Sequence, residues 1–179
     1  FSKQKTAYES RRSLVGSEML IRDRNKRLRS EDAYSPDGRH DLRPEHPTIV
    51  YTKILKRLYP DVPVVLGGIE ASMRRLVHYD YWDDCLKKSV LEDSGADLLI
   101  YGMGEQPITQ LANRLQNHLN SHPGVGGFIN SRIFRSLQLA DPIRQTGYLC
   151  SKEEIPGGIK DTDIELYSYR ECLADRKNE

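Results

Sequence analysis

Two glycine-bearing segments hold the residues whose types and spacing best suit chemistry: Gly67-Gly68-Ile69-Glu70-Ala71-Ser72 and Gly102-Met103-Gly104-Glu105. Each follows an apolar run and leads towards a helix-compatible stretch. Glycine lets backbone approach a ligand closely, and the start of the following helix offers unpaired N–H groups to an anion. Gly67, Gly68, Glu70, Ser72, Gly102, Gly104 and Glu105 are therefore the expected ligand-binding positions. Tight strand-to-helix turns needing positive φ explain the same glycines without a ligand. A nicotinamide or flavin fingerprint needs G-x-G-x-x-G after a strand. The second segment continues Gln106-Pro107, so proline stands where the third glycine belongs, and the first segment lacks the pattern. No Walker P-loop is present either.

The stretch His78-Tyr79-Asp80-Tyr81-Trp82-Asp83-Asp84 is chemically dense. A histidine beside three carboxylates could hold a metal or move a proton. Consecutive residues of a helix do not face one another, however, which favours Asp80 as a helix cap with Trp82 packing inward. Arg74-Arg75 could clamp a carboxylate or phosphate, and a salt-bridged surface explains it equally well. Cys85, Cys150 and Cys172 are too dispersed for a disulfide framework or a zinc ribbon, and none has C-x-x-x-C-x-x-C spacing. Cys85 reads as a buried thiol on a helix. No catalytic residue and no metal ligand is expected in the chain.

Positioning these segments requires a regular framework, and it begins near Thr48. Val50, Ile54 and Leu58, with Tyr51 and Leu55 beside them, predict a helix whose apolar face turns inward while Lys53, Lys56 and Arg57 turn outward. Val62-Pro63-Val64-Val65-Leu66 is a short continuous apolar run, the pattern of a strand buried on both faces. A second helix is expected over Tyr81 to Leu91, with Trp82, Cys85, Leu86, Ser89 and Val90 on its inner side. Ala96 to Tyr101 repeats the strand pattern. The helix after it begins near Pro107 and buries Ile108, Leu111, Ala112, Leu115 and Leu119. His122 to Gly127 reads as a loop, Ile143 to Leu149 as a third strand, and Tyr169 to Asp175 as a short helix.

Strands alternating with helices predict an α/β fold: a partial Rossmann-like, three-layer domain on a parallel sheet. Three strands are few for a doubly wound sheet, so either a further unit upstream of Phe1, the favoured reading, or strands borrowed from a partner are expected to complete it. Residues 1–45 read as a basic arm or partial upstream element, 46–150 as the α/β domain, and 151–179 as a linker with a short helix. Within the arm, Arg11, Arg12, Arg22, Arg24, Lys26, Arg27 and Arg29 are opposed only by Glu18 and Asp23. Such a run could meet RNA or an acidic surface. The net charge of the 179 residues is only +1, which argues against non-specific nucleic-acid binding by the whole chain. No apolar run reaches membrane-span length and no signal-peptide pattern opens the chain, so a cytoplasmic, reducing location is expected.

The run from Tyr59-Pro60-Asp61-Val62-Pro63-Val64-Val65-Leu66-Gly67-Gly68-Ile69-Glu70-Ala71-Ser72 through Arg74-Arg75 to His78-Tyr79-Asp80-Tyr81-Trp82 closely resembles YgiQ-type radical SAM proteins. Ala96 to Glu105 resembles them too, as does Arg29-Ser30-Glu31-Asp32-Ala33-Tyr34 upstream. The likeness covers roughly residues 20–120, and Ile143 to Tyr148 resembles the family's next strand. Residues 121–142 look like an insertion. In this family three thiolates of a C-x-x-x-C-x-x-C segment hold a 4Fe–4S cluster that binds S-adenosylmethionine; that segment would fall downstream of Glu179. The resemblance thus implies an accessory amino-terminal domain that is inactive alone and partnered by a downstream radical SAM core. The alternative is a non-catalytic nucleic-acid or protein-binding module acting through the basic arm. The domain also looks like cobalamin-binding domains that precede some radical SAM cores. Their Asp-x-His-x-x-Gly pattern is met by none of His40, His46, His78, His118 and His122, which makes cobalamin doubtful here.

Overall fold

The computed structural model of the chain describes residues 46–81, 83–122, 128–155 and 160–174, with 33, 35–39, 42, 44 and 158. The arginine-rich run 11–29 of the basic arm and Trp82 lie outside these residues. The chain divides into two units, residues 1–45 with 80–85, and residues 46–79 with 86–179. In the first unit, Ser35-Pro36-Asp37-Gly38 makes the turn its sequence suggests: Gly38 N donates to Ser35 O at 3.1 Å, with Gly38 at φ +67°.

In chain order the elements are α1 (Pro47–Leu58), β1 (Val65–Leu66), α2 (Gly68–Met73), β2 (His78–Asp80) and β3 (Cys85–Lys87). There follow α3 (Val90–Ser94), β4 (Leu98–Ile100), α4 (Glu105–Ser121), α5 (Ser131–Ala140), β5 (Thr146–Gly147) and α6 (Tyr169–Ala174). No described helix is long and apolar enough to cross a membrane.

Side chains of a strand alternate between faces, so a strand apolar at every position can cover two layers. β4 does this. Leu99 joins Leu66, Ala71, Val90, Leu91 and Ala96 on one side, with Ile49 of α1 packed against them. Leu98 and Ile100 join Leu111, Phe134 and Ile143 on the other. The result is an α/β domain with helices on both faces of a small sheet in the order β1-β4-β5.

β1 and β4 are parallel, with Val65 opposite Leu98 and Leu66 opposite Leu99. β5, in contrast, runs antiparallel to β4, with Leu99 opposite Gly147 and Ile100 opposite Thr146. The expected all-parallel sheet is therefore mixed, and the cause is α5. A single crossover helix returns the chain to the far end of the sheet, so the next strand is parallel. Two successive helices, α4 and α5, return it to the end it left. Residues 131–140, which the sequence places within an insertion, form a helix with Phe134 buried in the core.

Three further expectations change. Of the described residues from Tyr81 to Leu91, only Val90 and Leu91 are helical. His78–Asp80 and Cys85–Lys87 pair as a two-stranded ribbon instead. Asp80 Oδ1 accepts the Asp83 amide at 3.3 Å, and Asp84 sits at φ +54°, a conformation that aspartate tolerates in turns. The helix starts only after Ser89, whose Oγ accepts the Leu91 amide at 3.2 Å. Cys85 is consequently exposed rather than buried.

Second, α1 turns Ile49 and Thr52 towards the core and leaves Val50, Tyr51, Ile54, Leu55 and Leu58 exposed. Lys56 shares the inner stripe (positions i, i+3 and i+7) because its ammonium pairs with Asp97 at 2.5 Å. Third, α4 buries Pro107 and Leu111 while Ile108 and Ala112 are exposed. At the far end, the Ser168 hydroxyl and then its amide hydrogen-bond the Glu171 carboxylate and hold its pKa below the ordinary value, which caps α6.

Candidate functional site

Because β1 and β4 are parallel neighbours in register, both end at one rim of the sheet, where ligands of α/β domains bind. The two glycine segments leave from that rim. Gly67 is extended, and Gly68 at φ +87° begins α2. Gly102 lies at φ +71°, and a Cβ there would meet Gln145 Nε2 at 3.2 Å. On Gly104 a Cβ would meet Ile100 Cγ2 at 3.5 Å, so the second turn lies close over the end of β4.

The sequence did not indicate how the two turns are joined. Ser72 Oγ donates to Gly68 O at 2.8 Å and accepts the Gly102 amide at 3.1 Å. One hydroxyl thus ties the end of α2 to its own start and to the neighbouring turn. On the other flank, Tyr101 N donates to Gln145 O at 3.0 Å, with Gln145 itself at φ +60°. The Gly102 turn is held from both sides.

Glu70 faces elsewhere. Its carboxylate accepts from Thr48 Oγ1 and lies 3.5 Å from Arg74 Nη1, which also contacts His46 Nδ1 at 2.7 Å. Glu105 opens α4 and is exposed. Both helix starts therefore already carry an acid near the positive end of the helix dipole, which offsets their attraction for an anion. Of the arginine pair, Arg74 belongs to this Glu70 group. Arg75 donates to Ser72 O, and its guanidinium sits 5.1 Å from the Tyr101 ring centroid. Ile69, Met73 and Met103 stand exposed along the rim at 79%, 73% and 75% of their free surface, giving it apolar as well as polar contacts.

A cavity of about 610 Å³ opens beside the second turn. Gln106, Pro107, Gln110 and Arg114 of α4 form one wall, and Asp141 to Gln145 form the other. Arg114 is a strut across it. Its guanidinium donates to the Asp141 carboxylate at 2.5 Å, to the Leu137 carbonyl at 3.3 Å and to the Asp141 carbonyl.

Cys85 lies on β3, Cys150 follows β5, and Cys172 is buried on α6. Among the described residues no group of three metal-ligating side chains includes a cysteine. A cluster that needs three thiolates has no fit here.

A glycine at positive φ can be tested directly. Gly102→Ala places a side chain in the left-handed region, at about 1–2 kcal/mol, since the Gln145 amide can give way and the backbone cannot. We expect hydrogen exchange across residues 98–107 and 143–149 to accelerate roughly tenfold. Unchanged exchange in both segments would contradict the described conformation of the turn.

Helices on both faces of a short mixed sheet, with two glycine turns at one rim, define a small α/β domain. The chain belongs to the family described as radical SAM N-terminal, whose pattern it matches over residues 18–179. It is 57% identical to a UPF0313 protein of Bacteroides thetaiotaomicron over 87% of its own length and 24% of that protein. It is 52% identical to one of Porphyromonas gingivalis over 87% and 22%, and 58% identical to one of Geobacter sulfurreducens over 84% and 22%. The chain thus spans about a quarter or less of the length of these relatives. The matched family span includes the segment 121–142 that resembled an insertion. No solved structure gives a significant match.

Proposed function

We propose that this chain is the accessory amino-terminal domain of a radical SAM iron–sulfur enzyme and is inactive alone. The observation that carries this reading is family membership over residues 18–179 in a chain far shorter than its relatives. The cluster and S-adenosylmethionine belong to the downstream core of the same polypeptide, which supplies the thiolates and the radical chemistry. This domain contributes a preformed rim. Gly67, Gly68, Glu70 and Ser72, with Gly102, Gly104 and Glu105, form two turns that position that core or a nucleotide-like group against the ends of β1 and β4. Ser72 keeps the turns in register with each other, and Glu70 anchors α2 to the start of α1. Three cysteines with no disulfide among the described residues suit a reducing, cytoplasmic compartment.

Anaerobic reconstitution of the full-length protein with iron and sulfide tests the proposal. The expected result is cluster absorbance and reductive cleavage of S-adenosylmethionine, with neither from residues 1–179 alone. A full-length protein that takes up no cluster would end the enzyme reading while leaving the α/β domain as described.

A further inference from the structure

We infer that the cavity between α4 and residues 141–145 binds a small organic oxyanion, a carboxylate or a phosphate monoester, with Arg144 as its charge partner. The proposal does not rest on the enzyme reading above. It concerns residues of this domain only.

Size comes first. At about 610 Å³ the cavity lies within the roughly 300–1,000 Å³ typical of small-molecule sites. Its wall is framed rather than fluid. Pro107 is fully buried at its base, Ile143 belongs to the core, and Arg114 locks α4 to Asp141.

Charge then selects the ligand. Two guanidiniums line the cavity, and they differ. Arg114 is neutralised by Asp141 and turns its Nη1 donors to the Leu137 and Asp141 carbonyls. Arg144 is exposed and has no ion pair or hydrogen bond among the described residues. With Asp141 already paired, the lining has one uncompensated positive charge. That charge favours an anion and disfavours a metal or an amine.

Hydrogen bonding adds the rest. Gln106 and Gln110 lie one helical turn apart on the same face of α4, and Gln145 faces them from the other wall. Among the described residues the Gln106 and Gln110 carboxamides have no partner, so each offers a donor and an acceptor to a polar body. No aromatic residue lines the cavity, so it offers no ring to stack on a base. The two helix starts carry Glu70 and Glu105, and neither acid is among the residues that line the cavity. Finally, Gln145 holds a left-handed backbone conformation although it is not glycine. Such strain is sustained only where surroundings enforce it, here by the Tyr101 amide and the close approach of Gly102.

The experiment uses the full-length protein and three probes: glycerol 3-phosphate, glutarate and uncharged glycerol. Titration calorimetry should give saturable binding for at least one anion, at a Kd on the order of millimolar or tighter, and none for glycerol. The phosphate and carboxylate arms decide which oxyanion the site prefers. Arg144→Gln should weaken the favoured anion about tenfold or more, and Gln110→Leu should weaken it as well. Arg132→Gln, an exposed arginine on α5 outside the cavity, should leave it unchanged. Absence of saturable binding by both anions overturns the proposal, as does binding that survives both Arg144→Gln and Gln110→Leu. Cluster content, measured on the same samples, reports separately on the enzyme reading.

Discussion

Leu98→Ala should cost the domain about 3 kcal/mol, the largest loss expected from any single truncation of its sheet. Leu98 is wholly buried at the start of β4, with Leu111, Phe134 and Ile143 around it. Removing its isobutyl group forfeits the transfer energy and leaves a hole that α4 and α5 can fill only in part; Leu→Ala changes of this kind cost about 2–5 kcal/mol. Leu98 falls near the middle of that range: β4 is hydrogen-bonded on both edges and cannot shift towards either neighbour, while α4 and α5 can close part of the hole. At about 1.4 kcal/mol per tenfold change, hydrogen exchange of residues 96–101 in the full-length protein should accelerate about a hundredfold. Leu98→Met, nearly volume-conserving, should cost less than about 1.5 kcal/mol. If both substitutions leave exchange at the wild-type rate, β4 is not the central strand.

The strand itself was plain in the sequence, and so was its consequence. Six residues from Ala96 to Tyr101 are apolar except Asp97, a pattern that fits a strand covered on both faces. The same reading located β1 and hence the shared rim, since parallel neighbours end together. Direction was legible only as far as every helix was seen. Ser131 to Ala140 carries apolar residues at 133, 134 and 137 among polar ones, and Asn130 caps it by accepting the Ile133 amide at 2.9 Å. Those signals sat in a segment set aside as an insertion. The missed helix reversed β5 and, with it, brought Arg144 and Gln145 to the glycine rim.

Faces were less legible than elements. On α1 the longest apolar stripe, Val50 to Leu58, lies outside, because a shorter stripe containing Ile49, Thr52 and Lys56 completes an ion pair with Asp97. No periodicity count gives weight to a lysine as an inner residue. The link between the two turns was equally hidden: Ser72 was selected for its place after two glycines, and its role as a bridge to the Gly102 amide depends on a partner 30 residues away. Local spacing identifies turns. It does not say which turns share a hydrogen bond.

Asp97 is where the domain's second large effect is expected, at the end of the sheet opposite the glycine rim. Its carboxylate accepts the Val64 amide at 2.7 Å and pairs with Lys56 at 2.5 Å, while its own amide donates to Val64 O at 2.9 Å. Lys56 reaches on to Val62 O at 3.2 Å and Ser131 Oγ at 3.0 Å, so one carboxylate joins α1, β1, β4 and the start of α5. Both charged side chains are mostly shielded, at 18% and 15% exposure. Asp97→Ala strands a cation and a backbone amide together; discounting a fully buried pair for this residual exposure gives a loss of about 2–3 kcal/mol. The separation of charge from hydrogen bonding comes from the double variant Lys56→Met with Asp97→Asn, which removes both charges and keeps an acceptor for Val64. It should recover more than half of the loss. Hydrogen exchange at residues 62–66 is the readout, because that is where the unpaired amide would lie. If Asp97→Ala leaves this segment as protected as before, the register of β1 on β4 rests on side-chain packing alone, and the rim is aligned from the apolar core rather than from this clamp.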